Sequence, residues 1–183
     1  MNNSELQKIA KSVRKTVFEF KTRDGIGHLH SSLSPVDVLV SLFYDDKTDF
    51  NHEKDIVMFG KAHGSPSIYP ILADLGYFPK DELEKYCRPG GILRLHSDWT
   101  IPGCHFVGGS LGNGIGYASG LAQAQPDKNI YIIMGDAELY EGSVWESLMY
   151  ISHHNLSNLT NIIDLNTGGI GPFQRIFGEK NQS

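Results

Sequence analysis

Cysteine, net charge and long apolar runs are all scarce in this 183-residue chain, and each scarcity excludes a class of function. Its two cysteines, Cys87 and Cys104, make neither a metal-ligand spacing nor a disulfide framework, so the fold must rest on its own core. Cys104 neighbours His105, but adjacent residues rarely face each other and no third group is at hand to orient a thiolate–imidazole pair. A net charge of −5 offers no general attraction for nucleic acid or for an anionic membrane. A weak basic cluster from Lys8 to Lys21 reads as the solvated face of an amphipathic helix. No stretch is apolar enough for a membrane span, and no secretory leader pattern opens the sequence, so the expected compartment is the cytoplasm. Repeats, linkers and low-complexity segments are absent too, which leaves residues 1–183 as one domain with ordinary globular composition.

What is present is an alternation of helical and strand patterns. Leu6, Ile9, Val13, Val17 and Phe20 keep helical spacing, and Asp24-Gly-Ile-Gly27 breaks the helix. Ser34-Pro35 predicts a second helix, as cap and first-turn residue, over an apolar stretch to Phe43. Residues 55–59, 130–134 and 161–165 read as strands, and residues 67–75, 80–86, 115–124 and 143–153 as helices. The order predicts a three-layer α/β sandwich with a mostly parallel sheet. Three strands leave an unprotected edge, so another chain, or further sequence beyond a shortened C-terminal end, is expected to complete the sheet.

Chemistry concentrates at two predicted strand ends. The run Ile130-Tyr-Ile-Ile-Met-Gly-Asp-Ala-Glu138 delivers Gly135 and Asp136 where open α/β sheets place their ligands. Asn166 follows a second apolar run, thirty positions after Asp136. An Asp and an Asn at two parallel strand tips can hold one hard cation, and that cation can hold a diphosphate. The glycine-rich loop Gly108–Gly116 precedes a helix and suits either close ligand approach or tight helix packing. It lacks dinucleotide-fingerprint spacing, and no strand immediately precedes it. His28, His30, His63, His96 and His105 fall in predicted loops or at strand ends. They suit proton transfer near an anionic substrate, and no pair has helical metal-ligand spacing. His153 and His154 read as surface or packing residues. Glu138 and Glu141 leave two roles open, helix-dipole complement and acid–base work.

Together these segments resemble the N-terminal, diphosphate-binding part of transketolase, and more closely the short N-terminal subunits of split transketolases. The resemblance covers nearly the whole chain. Gly27-His-Leu-His-Ser-Ser-Leu-Ser34 is similar to that family's Gly-His loop, and Lys61-Ala-His-Gly64 to its Lys-Gly-His segment. Gly109-Ser-Leu-Gly112 is similar to its Thr-Gly-Ser-Leu-Gly loop, while Gly135-Asp-Ala-Glu-Leu-Tyr-Glu-Gly142, Trp145-Glu146 and Asn166 match the thiamine diphosphate motif.

The resemblance implies the thiamine diphosphate-binding fold in its diphosphate-domain form, with thiamine diphosphate and Mg²⁺ (or another divalent cation such as Ca²⁺) as cofactors. It implies Asp136, Asn166 and the Gly168 carbonyl as metal ligands. His63, Gly135 and Ala137 would contact the diphosphate, and Gly109 and Leu111 would approach the cofactor rings. His28 and His96 would face the substrate as catalytic groups, and Glu141 would link two active sites of a dimer. The implied activity transfers a two-carbon ketol unit from a ketose or 2-oxo donor to an aldehyde, on a sugar or sugar phosphate. The activating Glu belongs to a pyrimidine-binding domain that this chain lacks, so the implied partner is a transketolase C-terminal subunit in an α2β2-type assembly, and the chain alone is expected to be inactive. Ala137 replaces a usual Gly, His30 stands for Gly, Gly108 for Thr, and His105 where Glu is frequent. These changes leave open a related acyloin-forming thiamine enzyme, and an inactive, regulatory or scaffold subunit that keeps the fold. Arg88 and Arg94 are the only nearby candidates for a substrate phosphate.

Overall fold

The computed structural model describes residues 1–166. Helix α1 (Asn3–Asp24) begins where the Asn2 side chain accepts from Glu5 N while Glu5 accepts from Asn2 N, a reciprocal capping box. It ends at Gly25, whose φ of 68° lets the chain turn away without a Cβ penalty. These caps extend the helix several residues past its apolar spacing at both ends. Helix α2 (Leu29–Leu33) is one short turn inside a segment that carries no helical period. Helix α3 (Val36–Tyr44) begins after Pro35, and no side chain caps it; Ser34 bonds elsewhere, against the expectation that it would cap this helix.

Strand β1 (Ile56–Phe59) leads into a 3₁₀ segment (Ala62–Ser67) and helix α4 (Tyr69–Asp74). The expected helix at 80–86 is a second 3₁₀ segment, Lys80–Lys85. Helix α5 (Asn113–Ala124), strand β2 (Ile130–Gly135), a third 3₁₀ segment (Asp136–Tyr140), helix α6 (Gly142–His153) and strand β3 (Leu159–Asp164) follow. The third strand therefore starts two residues earlier than its apolar pattern suggests and leaves Leu165 outside. Among the described residues no helix is long and apolar enough to cross a membrane.

The sheet is parallel, in the order β1-β2-β3, with Phe59 opposite Ile133 and Gly135 opposite Asp164. Strand alternation then sorts the core into two layers. Ile56, Met58, Ile130, Ile132 and Met134 pack with α5 and α6. Val57, Phe59 and Ile133 pack with α1, α3 and α4. This is the three-layer α/β sandwich. Its two outer strands differ: β1 is buried at every residue, whereas β3 is half-buried with Ile163 exposed.

Candidate functional site

The carboxyl ends of all three strands open into one cavity of about 890 Å³. Parallel register explains the convergence. Lys61 lies just past β1, Asp136 just past β2, and Asp164 and Asn166 at the end of β3. His28, His30 and Ser34 enter from around α2, and Leu111 from the glycine loop.

Two carboxylates, Asp164 and Glu138, fix the strand-tip side. Lys61 Nζ donates to Asp164 Oδ2 (2.5 Å) and to Ser34 Oγ (2.7 Å), and Ser34 Oγ donates to the same Asp164 oxygen (2.6 Å). The Lys61 and Asp164 side chains are only 8% and 12% exposed. This network clips β1 to β3 across the intervening strand. Asn166 Nδ2 reaches Ser34 Oγ at 3.4 Å, which puts the carboxamide nitrogen on that side and its oxygen on the other. Glu138, 1% exposed, accepts from Gly112 N with Oε1 (3.1 Å) and from Gly135 N with Oε2 (2.9 Å). Burial raises its pKa, and these two backbone N–H groups oppose the rise. Glu138 thus ties the glycine loop to the strand tip, a role beyond that of a helix-dipole complement.

Asp136 is buried, and its Oδ1 accepts from Ala137 N at 3.0 Å. Ala137 lies on the cavity wall. The non-glycine residues with positive φ among those described are Cys87 and Asn155, so the methyl of Ala137 brings no left-handed strain. Asp136 and Asn166 line the cavity together, as the strand-end argument requires. Gly168, the expected third metal ligand, lies outside the described residues.

The histidine side is built differently. His28, His63 and His96 come together from three separate segments, with His28–His63 ring centroids 4.3 Å apart and His63–His96 4.9 Å apart. One nitrogen of each ring lies within 4.8 Å of the others. Burial lowers the pKa of both His63 and His96, and the neighbouring His28 adds to the effect. Both rings are therefore neutral at pH 7. His30 lies in α2 and lines the cavity. His105 is exposed, and neither it nor His153 and His154 lies on the cavity wall.

The glycine loop divides between positions that pack tightly and one that faces open space. A Cβ at Gly112 would sit 2.6 Å from the Glu141 Cβ, and one at Gly114 would sit 2.9 Å from the Gly60 Cα, so these two glycines serve packing. Gly109, with φ of +131°, would meet only His96 Nδ1 at 3.7 Å and is the one that leaves room beside the histidines. A Cβ at Gly108 would fall 2.5 Å from the Ala62 Cβ. Ala62 stands where the resembled segment has Gly, and Gly108 where it has Thr, so these two departures meet at one contact.

Three expected site residues lie apart from the cavity lining: Gly109, His96 and Glu141. The first two flank it through the contact just described. Glu141 is exposed and packs its stem on Gly112, facing outward. Arg88 and Arg94 are exposed and also off the cavity wall. Cys104 is buried and its thiol is pushed up to about 12 by that burial, so it is inert.

The sequence model of the family described as 1-deoxy-D-xylulose-5-phosphate synthase matches residues 1–173. The 6-deoxy-6-sulfo-D-fructose transketolase subunit SqwG of Clostridium sp. (strain MSTE9) is 37% identical over 172 residues, 88% of this chain and 62% of that protein. An apulose-4-phosphate transketolase subunit from Actinobacillus succinogenes is 35% identical over 177 residues, 91% of this chain and 64% of that protein. The chain thus spans under two thirds of either curated relative. The crystal structure of transketolase from Campylobacter jejuni superposes with a TM-score of 0.85 at 26% identity, over 99% of this chain and 31% of that one.

Proposed function

The chain belongs to the transketolase family as its N-terminal diphosphate-binding domain, and from that membership we propose that it is one half of a thiamine diphosphate-dependent, transketolase-like enzyme. The observation that carries this reading is the placement of Asp136 and Asn166 on one cavity wall, at the ends of adjacent parallel strands. Their donor set is a carboxylate and a carboxamide oxygen, which suits Mg²⁺ or Ca²⁺. In this reading Asp136 and Asn166, with the Gly168 carbonyl, hold the cation, and Gly135, Ala137 and His63 meet the diphosphate. Gly109 and Leu111 pass close to the cofactor rings.

When bound, thiamine diphosphate would supply the electron sink needed to break and form C–C bonds beside a carbonyl. The chain's own groups bind, orient and move protons. His28 and His96 donate to substrate oxygens, and the neutral His96 ring can take a hydroxyl proton and return it. The donor is a ketose, which leaves as an aldehyde two carbons shorter, or a 2-oxo acid, which loses CO₂; the acceptor aldehyde becomes a ketose lengthened by two carbons. Two relatives are named for a sulfonated and a phosphorylated sugar, which favours an anionic substrate here as well. Among the described residues Lys61 is the Lys/Arg cation on the cavity wall, and it is already bound to Asp164, which favours a site for that anionic group on another segment or on the partner chain. The partner is a separate pyrimidine-binding chain that brings the activating Glu, and the outward-facing Glu141 suits a contact across an α2β2-type assembly in the cytoplasm.

The test mixes the purified chain with a pyrimidine-domain partner, thiamine diphosphate and Mg²⁺, and follows donor depletion. Turnover by the mixture and none by either chain alone is the expected result. Absence of cofactor binding with the partner present would sink the proposal.

A further inference from the structure

Beside the oxygen ligands lies a second donor set of different chemistry. We propose that His28, His63 and His96 form an exchangeable site for a borderline transition-metal ion, of which Zn²⁺ is the type case, distinct from the Asp136/Asn166 pair.

Geometry carries this inference. One nitrogen from each ring lies within 4.8 Å of the other two. A tetrahedral Zn²⁺ with bonds of about 2.0–2.1 Å spaces its nitrogens about 3.3 Å apart. The widest gap therefore closes by at most about 1.5 Å, a side-chain adjustment for rings carried on three short segments. Among the described residues no protein group hydrogen-bonds any of these imidazoles, and His96 Nε2 is buried with no partner. A buried polar nitrogen left in that state calls for a ligand. Three imidazoles and no carboxylate select Zn²⁺, Cu²⁺, Ni²⁺ or Co²⁺ over Mg²⁺ and Ca²⁺. Three protein ligands leave a fourth position open, which distinguishes an exchangeable site from a closed structural one. Among the described residues no carboxylate hydrogen-bonds the rings from behind, so these supply none of the outer-shell support that makes a resident zinc tight. The ion is then an effector.

The consequence follows from location. His28 and His63 share the cavity wall with Asp136 and Asn166, so an ion on the histidines blocks the substrate and takes His63 from the diphosphate. That consequence rests on the thiamine diphosphate reading; the binding itself does not.

Co²⁺ is the probe, added to the full chain without thiamine diphosphate. One equivalent should bind with the visible d–d absorption of a tetrahedral centre, be displaced by Zn²⁺, and resist a large excess of Mg²⁺. His28→Gln and His96→Gln should each weaken binding by at least about 10-fold, with circular dichroism confirming that both variants fold. The double variant His153→Gln/His154→Gln, on the exposed end of α6, should bind as wild type. Wild-type Co²⁺ affinity in both cavity variants, or loss of binding in the α6 variant, overturns the site. Thiamine diphosphate with Mg²⁺ should weaken Co²⁺ binding; unchanged affinity, once cofactor binding is confirmed separately, overturns the effector role. A chain that binds Co²⁺ as described but never binds the cofactor keeps this site and loses the proposed function.

Discussion

The two sides of the cavity are held by different means. On the strand-tip side nearly every polar group has a protein partner: Lys61 with Asp164 and Ser34, Glu138 with two backbone N–H groups, and Asp136 with Ala137 N. On the other side the His63 ring meets those of His28 and His96 edge to face, and the three imidazoles have no protein hydrogen bond among the described residues. The first side is therefore preorganised during folding, at the expense of burying charge. The second has no protein hydrogen bond among the described residues to fix its rings. Under the proposed function, one side would hold the cofactor and the other would move protons on a substrate, and the two kinds of construction suit those two tasks.

Breaking the strand-tip side should produce the largest change in stability. Lys61→Met leaves Asp164, only 12% exposed, beside Ser34 without its cation, and should cost about 3 kcal/mol in urea unfolding. The double variant Lys61→Met/Asp164→Leu should recover most of that loss, because it removes both desolvated charges. If Lys61→Met unfolds at the wild-type urea concentration, the ion pair is not what fixes this side.

The glycine loop at the border gives a smaller effect with a built-in rescue. Gly108→Thr should cost about 1–3 kcal/mol by overpacking against Ala62. Adding Ala62→Gly should restore part of it, since the blocking methyl is gone while the Phe59 carbonyl, 3.0 Å from a Cβ at 108, remains. Additive losses in the double variant would show that the two departures are unrelated.

The histidine side should be nearly silent in stability and visible only in its pH dependence. His28→Ala should shift unfolding by no more than about 0.5 kcal/mol, as for an exposed side chain without partners. His63 and His96 have folded pKa values below the unfolded value of about 6.5. As pH falls, the unfolded chain takes up protons before the folded one, so the stability these rings allow is full above about pH 6.5. It is lost as pH falls through their folded values. Melting temperature should therefore drop between pH 7 and pH 5, and less steeply in His63→Gln/His96→Gln. Equal slopes in both proteins would contradict the assignment.

This contrast also explains what is legible in the sequence. The Asp136/Asn166 pair is readable because apolar runs announce strands, and strand ends in a parallel sheet announce where ligands go. Asp136 and Asn166 follow from one-dimensional pattern. The fold class is readable for the same reason. The supporting residues are not: Lys61, Asp164 and Glu138 act through contacts that depend on register and on the path of the glycine loop. Nothing in the run Asp136-Ala-Glu-Leu-Tyr140 says that Glu138 turns inward to hold Gly112 and Gly135. Helix α2 escapes the pattern because one turn carries no period, and Ser34 reads as a cap because its partner, Asp164, is remote in sequence. The histidines are visible as a set. Their meeting at 4.8 Å is not, since three segments far apart in the chain have to be folded first.

The most direct test of the account is calorimetric binding of thiamine diphosphate in the presence of Mg²⁺ and the pyrimidine-domain partner, comparing wild type with Asp136→Ala. Loss of an outer-shell residue alone costs about 10–100-fold in metal affinity, so loss of this ligand should weaken cofactor binding by at least about 100-fold. Wild type should bind saturably and only with the divalent cation. Equal affinity in Asp136→Ala, or binding that ignores Mg²⁺, would contradict the central claim that Asp136 and Asn166 hold the cofactor through a metal ion.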